Sequence, residues 1–180
     1  MFIRSLFTLV VLFLFGNIKD AYAVYTIDTS FIISSEIVNT EKMYTKEYYS
    51  NGKLKAEGWS SMDTKTDYWT FYHKNGNVAS KGNFRSNEKN GYWYFYNETG
   101  TLIKEGHFEN GSAEKWWIFY DIATRNKSKF QFKNNLKNGF ALRYKKRKLV
   151  KAEEYRNGVK IDEWTSVIAF KLDNPNVSLR

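Results

Sequence analysis

The chain has 180 residues, 28 Lys or Arg against 19 Asp or Glu, and a formal net charge of +9. That length buries a core without staples, and the absence of Cys excludes a disulfide scaffold, thiolate metal sites and a Cys nucleophile. Two His leave little room for a His-rich metal centre, and a mean hydropathy of −0.59 excludes a polytopic membrane protein.

The N-terminus reads as an address. Arg4 supplies a positive charge, Leu6 to Phe15 is apolar except for Thr8, and Ala21-Tyr22-Ala23 forms a small-x-small site. As a helix the run from Ser5 to Phe15 would cover about 16 Å, short of the roughly 20 apolar residues of a membrane span. These features predict a signal peptide over 1–23, cleaved between Ala23 and Val24, and an exported mature chain with no transmembrane span. An uncleaved anchor is the alternative. Residues 24–43, rich in Ile, Val, Ser and Thr, are expected to form a capping strand region.

From Tyr44 onward the sequence repeats every 24 residues. Tyr48, Tyr72, Tyr96, Tyr120 and Tyr144 keep the step, as do Trp69, Trp93 and Trp117, and Phe71, Phe95 and Phe119. So do Gly58, Gly82 and Gly106, and the column Tyr68, Tyr92, Trp116, Phe140 and Trp164. Asn-Gly pairs begin at 51, 75, 90, 110, 138 and 157, and Asn-Gly favours tight hairpin turns because both residues tolerate positive φ. Aromatic-rich flanks such as Tyr92 to Tyr96 favour strands. The expected fold is all-β: an elongated single-layer antiparallel sheet of about five stacked hairpins over 44–164, with a C-terminal strand and tail over 165–180. Alternation puts Trp69, Phe71 and their copies on one face, and Tyr68, Thr70, Tyr72 and theirs on the other. Glycine weakens a strand unless something packs over it, so the column at 58, 82 and 106 predicts an aromatic ring of the same repeat above each glycine.

The unit from Gly91 to Gly100, followed by Leu102 and Lys104-Glu105-Gly106-His107-Phe108, resembles the bacterial variant of the MORN repeat. So do Asp67 to Phe84 and Tyr44 to Gly58. The match is good over about 44–111 and poor over 116–164, where Ala141 replaces the Trp and Thr124 and Lys148 replace the turn Gly. The resemblance implies stacked hairpins used for binding or scaffolding in a bacterial protein, periplasmic or extracellular given the signal peptide. It offers no catalytic residue, and many bacterial members are labelled antitoxins of toxin–antitoxin pairs. The Gly-x-Trp-Tyr-Phe-Tyr pattern is also similar to choline- or glucan-binding aromatic repeats, although their period is nearer 20.

Charge is segregated. Residues 41–124 hold 11 basic and 11 acidic residues, whereas 125–160 hold 13 basic residues and only Glu153 and Glu154. This asymmetry predicts an acidic partner for a patch of Arg143, Lys145, Lys146, Arg147, Lys148 and Lys151. The partner is expected to be a protein, with an anionic lipid or envelope polymer as the alternative; no nucleic acid, cofactor or metal is expected. Trp69, Phe71, Trp93, Phe95, Trp117 and Phe119 are the candidate ligand platform for a glycan, choline or lipid, or else packing. Glu57, Lys81, Glu105, Lys129 and Glu153 fall on one column with alternating sign. Two strands apart, about 10 Å, such charges interact by about 0.4 kcal/mol in water, enough to disfavour misordered stacking. No nucleophile elbow, P-loop or dinucleotide motif occurs. The expectation is a non-catalytic protein-interaction scaffold or binding module.

Overall fold

The computed structural model describes residues 41–178. The predicted signal peptide, its cleavage between Ala23 and Val24, and the capping region up to residue 40 lie outside them. Eleven strands follow in chain order: β1 (Met43–Tyr48), β2 (Leu54–Ser61), β3 (Thr64–Tyr72), β4 (Val78–Arg85), β5 (Glu88–Tyr96), β6 (Leu102–Glu109), β7 (Ser112–Asp121), β8 (Asn126–Lys133), β9 (Leu136–Lys145), β10 (Lys148–Arg156) and β11 (Val159–Trp164). They form one open antiparallel sheet in which every neighbour in space is the neighbour in sequence. The fold class read from the period is correct.

Two kinds of turn alternate. Two-residue turns at Met62-Asp63, Ser86-Asn87, Asn110-Gly111 and Asn134-Asn135 have positive φ at both positions, the geometry that matches strand twist. Longer turns close when the N–H groups of Tyr49, His73 and Asn97 donate to the carbonyls of Lys53, Asn77 and Thr101, at 2.8–3.0 Å. Two of the six Asn-Gly pairs are not turns. Asn90-Gly91 and Asn138-Gly139 lie inside β5 and β9. There Gly91 and Gly139 belong to a recurring bulge at Asp67, Gly91, Lys115 and Gly139, with φ of 54°, 78°, 59° and 96°.

That bulge explains the core. A bulge leaves ladder groups unpaired. Two residues beyond it the indole N–H of Trp69 donates to the carbonyl of Trp59 (2.7 Å), Trp93 to Asn83 (2.9 Å) and Trp117 to His107 (3.0 Å). Each indole then lies on the glycine of the preceding strand. A Cβ at Gly58, Gly82 or Gly106 would stand 2.2–2.4 Å from the nearest atom of Trp69, Trp93 or Trp117. The ring comes from the following repeat, which corrects the expectation of a ring from the same one: Gly106 ends the hairpin that carries Trp93, and Trp117 covers it. Phe84 and Phe108 wedge edge-on between successive indoles, as at Phe84–Trp93 (5.1 Å) and Phe108–Trp117 (4.9 Å), and Phe132 stands edge-on to the last of them, Trp117 (6.1 Å). The resulting ladder buries Trp69, Trp93 and Trp117 in a sheet with no second layer over them among the described strands.

The fourth unit inverts the pair. Where Trp is expected stands Ala141, and where Gly is expected stands Phe130; the two are direct cross-strand partners, and both are buried. Bulk has moved across the ladder while the volume is kept.

The last unit also loses one residue. Trp69 pairs with Gly82, Trp93 with Gly106 and Trp117 with Phe130, each 13 residues on, but Ala141 pairs with Glu153 after 12. A one-residue slip exchanges faces. Glu153 therefore stands on the tryptophan face and Ala152 takes its place beside Leu142. The charge column thus ends at Lys129, and Glu153 is no fifth member.

The predicted C-terminal strand is also corrected. After β11 the chain forms α1 (Val167–Asp173), begun by Ser166, whose side chain accepts from the N–H of Ala169. Its Phe170 is fully buried, 5.4 Å edge-on to Phe140 and 5.2 Å from Trp164. The indole of Trp164 donates to Asp173 at 2.7 Å. The helix covers the last members of the tyrosine-face column, which a strand in the sheet plane could not do.

Candidate functional site

The six candidate platform residues form one continuous row, at two depths. Trp69, Trp93 and Trp117 are 1, 0 and 4 % exposed, while Phe71, Phe95 and Phe119 are half-buried. What an approaching molecule meets on this face is therefore phenylalanine edges and lysine. The Nζ of Lys65 stands 3.5 Å from the Trp69 ring, that of Lys89 4.7 Å from Trp93, and that of Lys137 4.3 Å from Phe130. Burial, and then the charge of Lys104, lowers the Lys89 ammonium from its ordinary pKa.

The predicted basic patch divides in two. Arg143 and Lys151 are already engaged by Glu153: Arg143 donates through Nη2 and Nε at 3.0 and 3.2 Å, and Lys151 approaches at 3.2 Å. Tyr155 adds a 3.3 Å hydrogen bond to the same carboxylate. Burial alone would raise the Glu153 pKa, but Lys151 and Arg143 outweigh it and hold it below the ordinary value. Lys151 also pairs with Glu163, which Lys160 and Lys151 together pull down to about 2.

Lys145, Lys146, Arg147 and Lys148 form the β9–β10 hairpin tip and make no ion pair among the described residues. Lys146 and Arg147 are the turn, with φ of 47° and 66°, and Lys145 faces Lys148 directly across the ladder. Like charges placed so are destabilising. The neighbouring turn along this sheet edge, 121–125, contributes Arg125, and Lys127 follows it in β8. The Lys127 Nζ lies 5.2 Å from the Tyr144 ring. Asp121 is tied to its own turn, accepting the Thr124 N–H at 3.1 Å, and its pKa is lowered by those Thr124 hydrogen bonds.

These two turns flank two open grooves. One, of about 450 Å³, has Leu102, Tyr120, Ile122 and Tyr144 as its apolar wall and Arg125, Lys127 and Arg147 at its rim. The other, of about 360 Å³, is lined by Phe119, Arg143, Lys145 and Val150 among others, and shares Lys127 with the first. Arg125 and Lys127 were missed in the sequence reading. The 24-residue step could have found them, because it places 121–125 beside 145–149. Among the described residues no group of three or more His, Asp or Glu is arranged to hold a metal, and no helix is long and apolar enough to cross a membrane. His73 is structural: a carbonyl only accepts, so its Nε2 donates to the carbonyl of Tyr96, 3.0 Å away, and ties one turn to the next.

No protein-family model matches the chain, and no curated protein matches it.

Proposed function

We propose that this chain is an exported, non-catalytic binding module of the MORN-like type, and that an acidic protein partner docks on the cationic edge between the 121–125 and 146–147 turns. One observation carries this reading. Arg125, Lys127, Lys145 and Arg147 line two open grooves and make no ion pair among the described residues, Asp121 in the same lining being tied to its own turn, while residues 41–124 are charge-balanced. Tyr120, Tyr144 and Ile122 supply the apolar contact that a purely electrostatic patch would lack. Complementary charge of this kind sets association rate and partner choice more than affinity.

The test is capture from envelope and secreted fractions at low and high salt, with the purified chain and with a variant carrying Lys145→Glu, Lys146→Glu and Lys148→Glu. A specific acidic protein held by the wild type at low salt, and lost at high salt and by the variant, is the expected result. Identical recovery by both chains sinks the reading. A second reading has its own observation: Ile122 and Val150, 47 and 45 % exposed, stand beside these cations, as on a tip that meets an anionic surface. Recovery of lipid or polymer alone would favour it.

A further inference from the structure

Three lysines over the tryptophan-face ladder occupy one structural position, while a fourth, Lys104, reaches the Phe95 ring (4.7 Å) from β6. Lys65, Lys89 and Lys137 each follow a two-residue turn and pair across the ladder with Ser60, Phe84 and Phe132. Each offers its carbonyl to an N–H of the next turn: Asn87 to Lys65 (3.0 Å), Gly111 to Lys89 (2.9 Å) and Gly158 to Lys137 (2.8 Å). Ala113 fills the same position in the third unit. It pairs with Phe108, and its carbonyl accepts from the Asn135 N–H at 3.1 Å.

The three lysines share one task. Each lays an ammonium on at least two rings: Lys65 on Trp69 and Phe71 (3.5 and 5.9 Å), Lys89 on Trp93, Phe95 and Phe108 (4.7, 5.1 and 5.2 Å), and Lys137 on Phe130 and Tyr155 (4.3 and 4.9 Å). The third unit keeps the rings and lacks the cation. Phe119 and Phe132 stand 6.3 and 6.1 Å from Trp117, much as Phe95 and Phe108 stand from Trp93, although Phe119 also packs edge-on to Phe130 at 5.5 Å. Among the described residues no lysine or arginine is placed over any of the three. Ala113 ends at Cβ and carries neither stem nor ammonium.

We infer that the Trp117–Phe119–Phe132 cluster is a binding site for an organic ammonium group supplied from outside the chain, seated where Lys89 seats its own ammonium one unit earlier. The attraction of a cation for ring faces, up to about 6 Å from the centroid, is the recognition chemistry. Trp117 itself is only 4 % exposed, so the ammonium rests on the half-buried Phe119 and Phe132 with the indole behind them. Lys89 and Lys137 flank the site, and Lys104 lies across the ladder from Phe119. The site is therefore shallow and its affinity weak, and salt screens the repulsion from these neighbours. Binding here holds or tightens as salt rises, the reverse of docking at the cationic edge. Failure of one reading is thereby distinguishable from failure of the other.

The experiment follows the indole N–H signals of Trp69, Trp93 and Trp117 by NMR in the whole chain, during titration with tetramethylammonium chloride and, separately, Nα-acetyl-lysine N-methylamide, against sodium chloride of equal strength. The expected result is a saturable shift of the Trp117 signal, with Trp69 and Trp93 unmoved. Tighter binding of the lysine probe identifies a partner's lysine as the source, and tighter binding of the quaternary probe a small quaternary ammonium. Ala113→Lys, which caps the site in cis, should weaken binding by at least about tenfold. Lys89→Ala should create a second responsive site at Trp93, and it tests the idea should Ala113→Lys fail to fold. Equal shifts at all three indoles, no shift at Trp117, or a folded Ala113→Lys chain that binds like the wild type would each overturn the inference.

Discussion

From β2 to β7 the molecule repeats one device three times: a bulge, a glycine, and an indole that lies on the glycine and satisfies a carbonyl of the strand opposite the bulge. From β8 to β11 only the bulge, at Gly139, survives. Phe130 and Ala141 have exchanged bulk, the side chain of Gln131 accepts the Phe140 N–H at 2.6 Å, Glu153 has slipped onto the tryptophan face, and a helix caps the opposite face. The cation excess falls in the second region only. The comparison teaches that regularity here serves stability. The irregular end has been refitted around two things a repeat cannot hold: a buried carboxylate network and a groove-lined cationic edge.

The largest expected effect tests whether the device is the core. Trp93→Ala removes a ring that is 0 % exposed and orphans the Asn83 carbonyl. It should cost about 3–5 kcal/mol and lower the urea midpoint steeply. A loss near 1 kcal/mol would mean that the ladder is ornamental. Gly106→Ala attacks the same device from below: its new Cβ would lie 2.2 Å from Trp117, and overpacking of that kind costs about 1–3 kcal/mol.

A double-mutant cycle sharpens the comparison itself. Phe130→Gly opens a cavity, and Ala141→Trp overfills its site. Together they rebuild the Gly–Trp pair of the earlier units. The double variant should be more stable than the sum of the single changes by about 1–3 kcal/mol, as direct contacts couple. Simple additivity would show that the inversion is drift and not compensation.

Much of this was legible before any coordinates. The 24-residue step placed the hairpins, the two faces and the Gly and Trp columns, because a strand's period of two and a fixed repeat leave little freedom. What escaped had a physical reason in each case. Asn90-Gly91 and Asn138-Gly139 carry the positive-φ residue that both a turn and a bulge require, so composition alone could not separate them. Position 141 was read as the loss of a Trp; only its pairing with Phe130 shows it as an exchange. The missing residue between Ala141 and Glu153 left Tyr144 and Trp164 on their columns, which hid the slip. Of the candidate site, the run 145–148 was plain as a charge cluster. The engagement of Arg143 and Lys151 by Glu153 was not, since it depends on the slip.

The network gives a pH-dependent test. The native pKa of Glu153 lies below the ordinary 4.5. A depressed carboxylate contributes stability that is present above its unfolded pKa and lost as pH falls through the native value. Glu153→Gln should therefore cost about 2 kcal/mol near neutrality, the scale of hydrogen bonds to charged groups. The gap between wild type and variant should close progressively below pH 4.5. A gap that stays constant down to pH 3 would assign the effect to packing.

The smallest effect carries the sharpest contrast. Lys145 and Lys148 face each other across the β9–β10 ladder, so the cationic edge is held against the fold's interest. Lys148→Glu converts that repulsion into an opposite-charge pair, worth about 0.2–1 kcal/mol. The urea midpoint should rise with the slope unchanged, since the surface exposed on unfolding is the same. The gain should vanish in about 1 M salt, where the screening length is roughly 3 Å. The same change should weaken acidic-partner capture. A residue whose replacement improves the fold and impairs binding is retained for the binding. If Lys148→Glu leaves stability unchanged at low salt, the charge excess is not held against the fold, and the basic end is then as ordinary as the balanced strands before it.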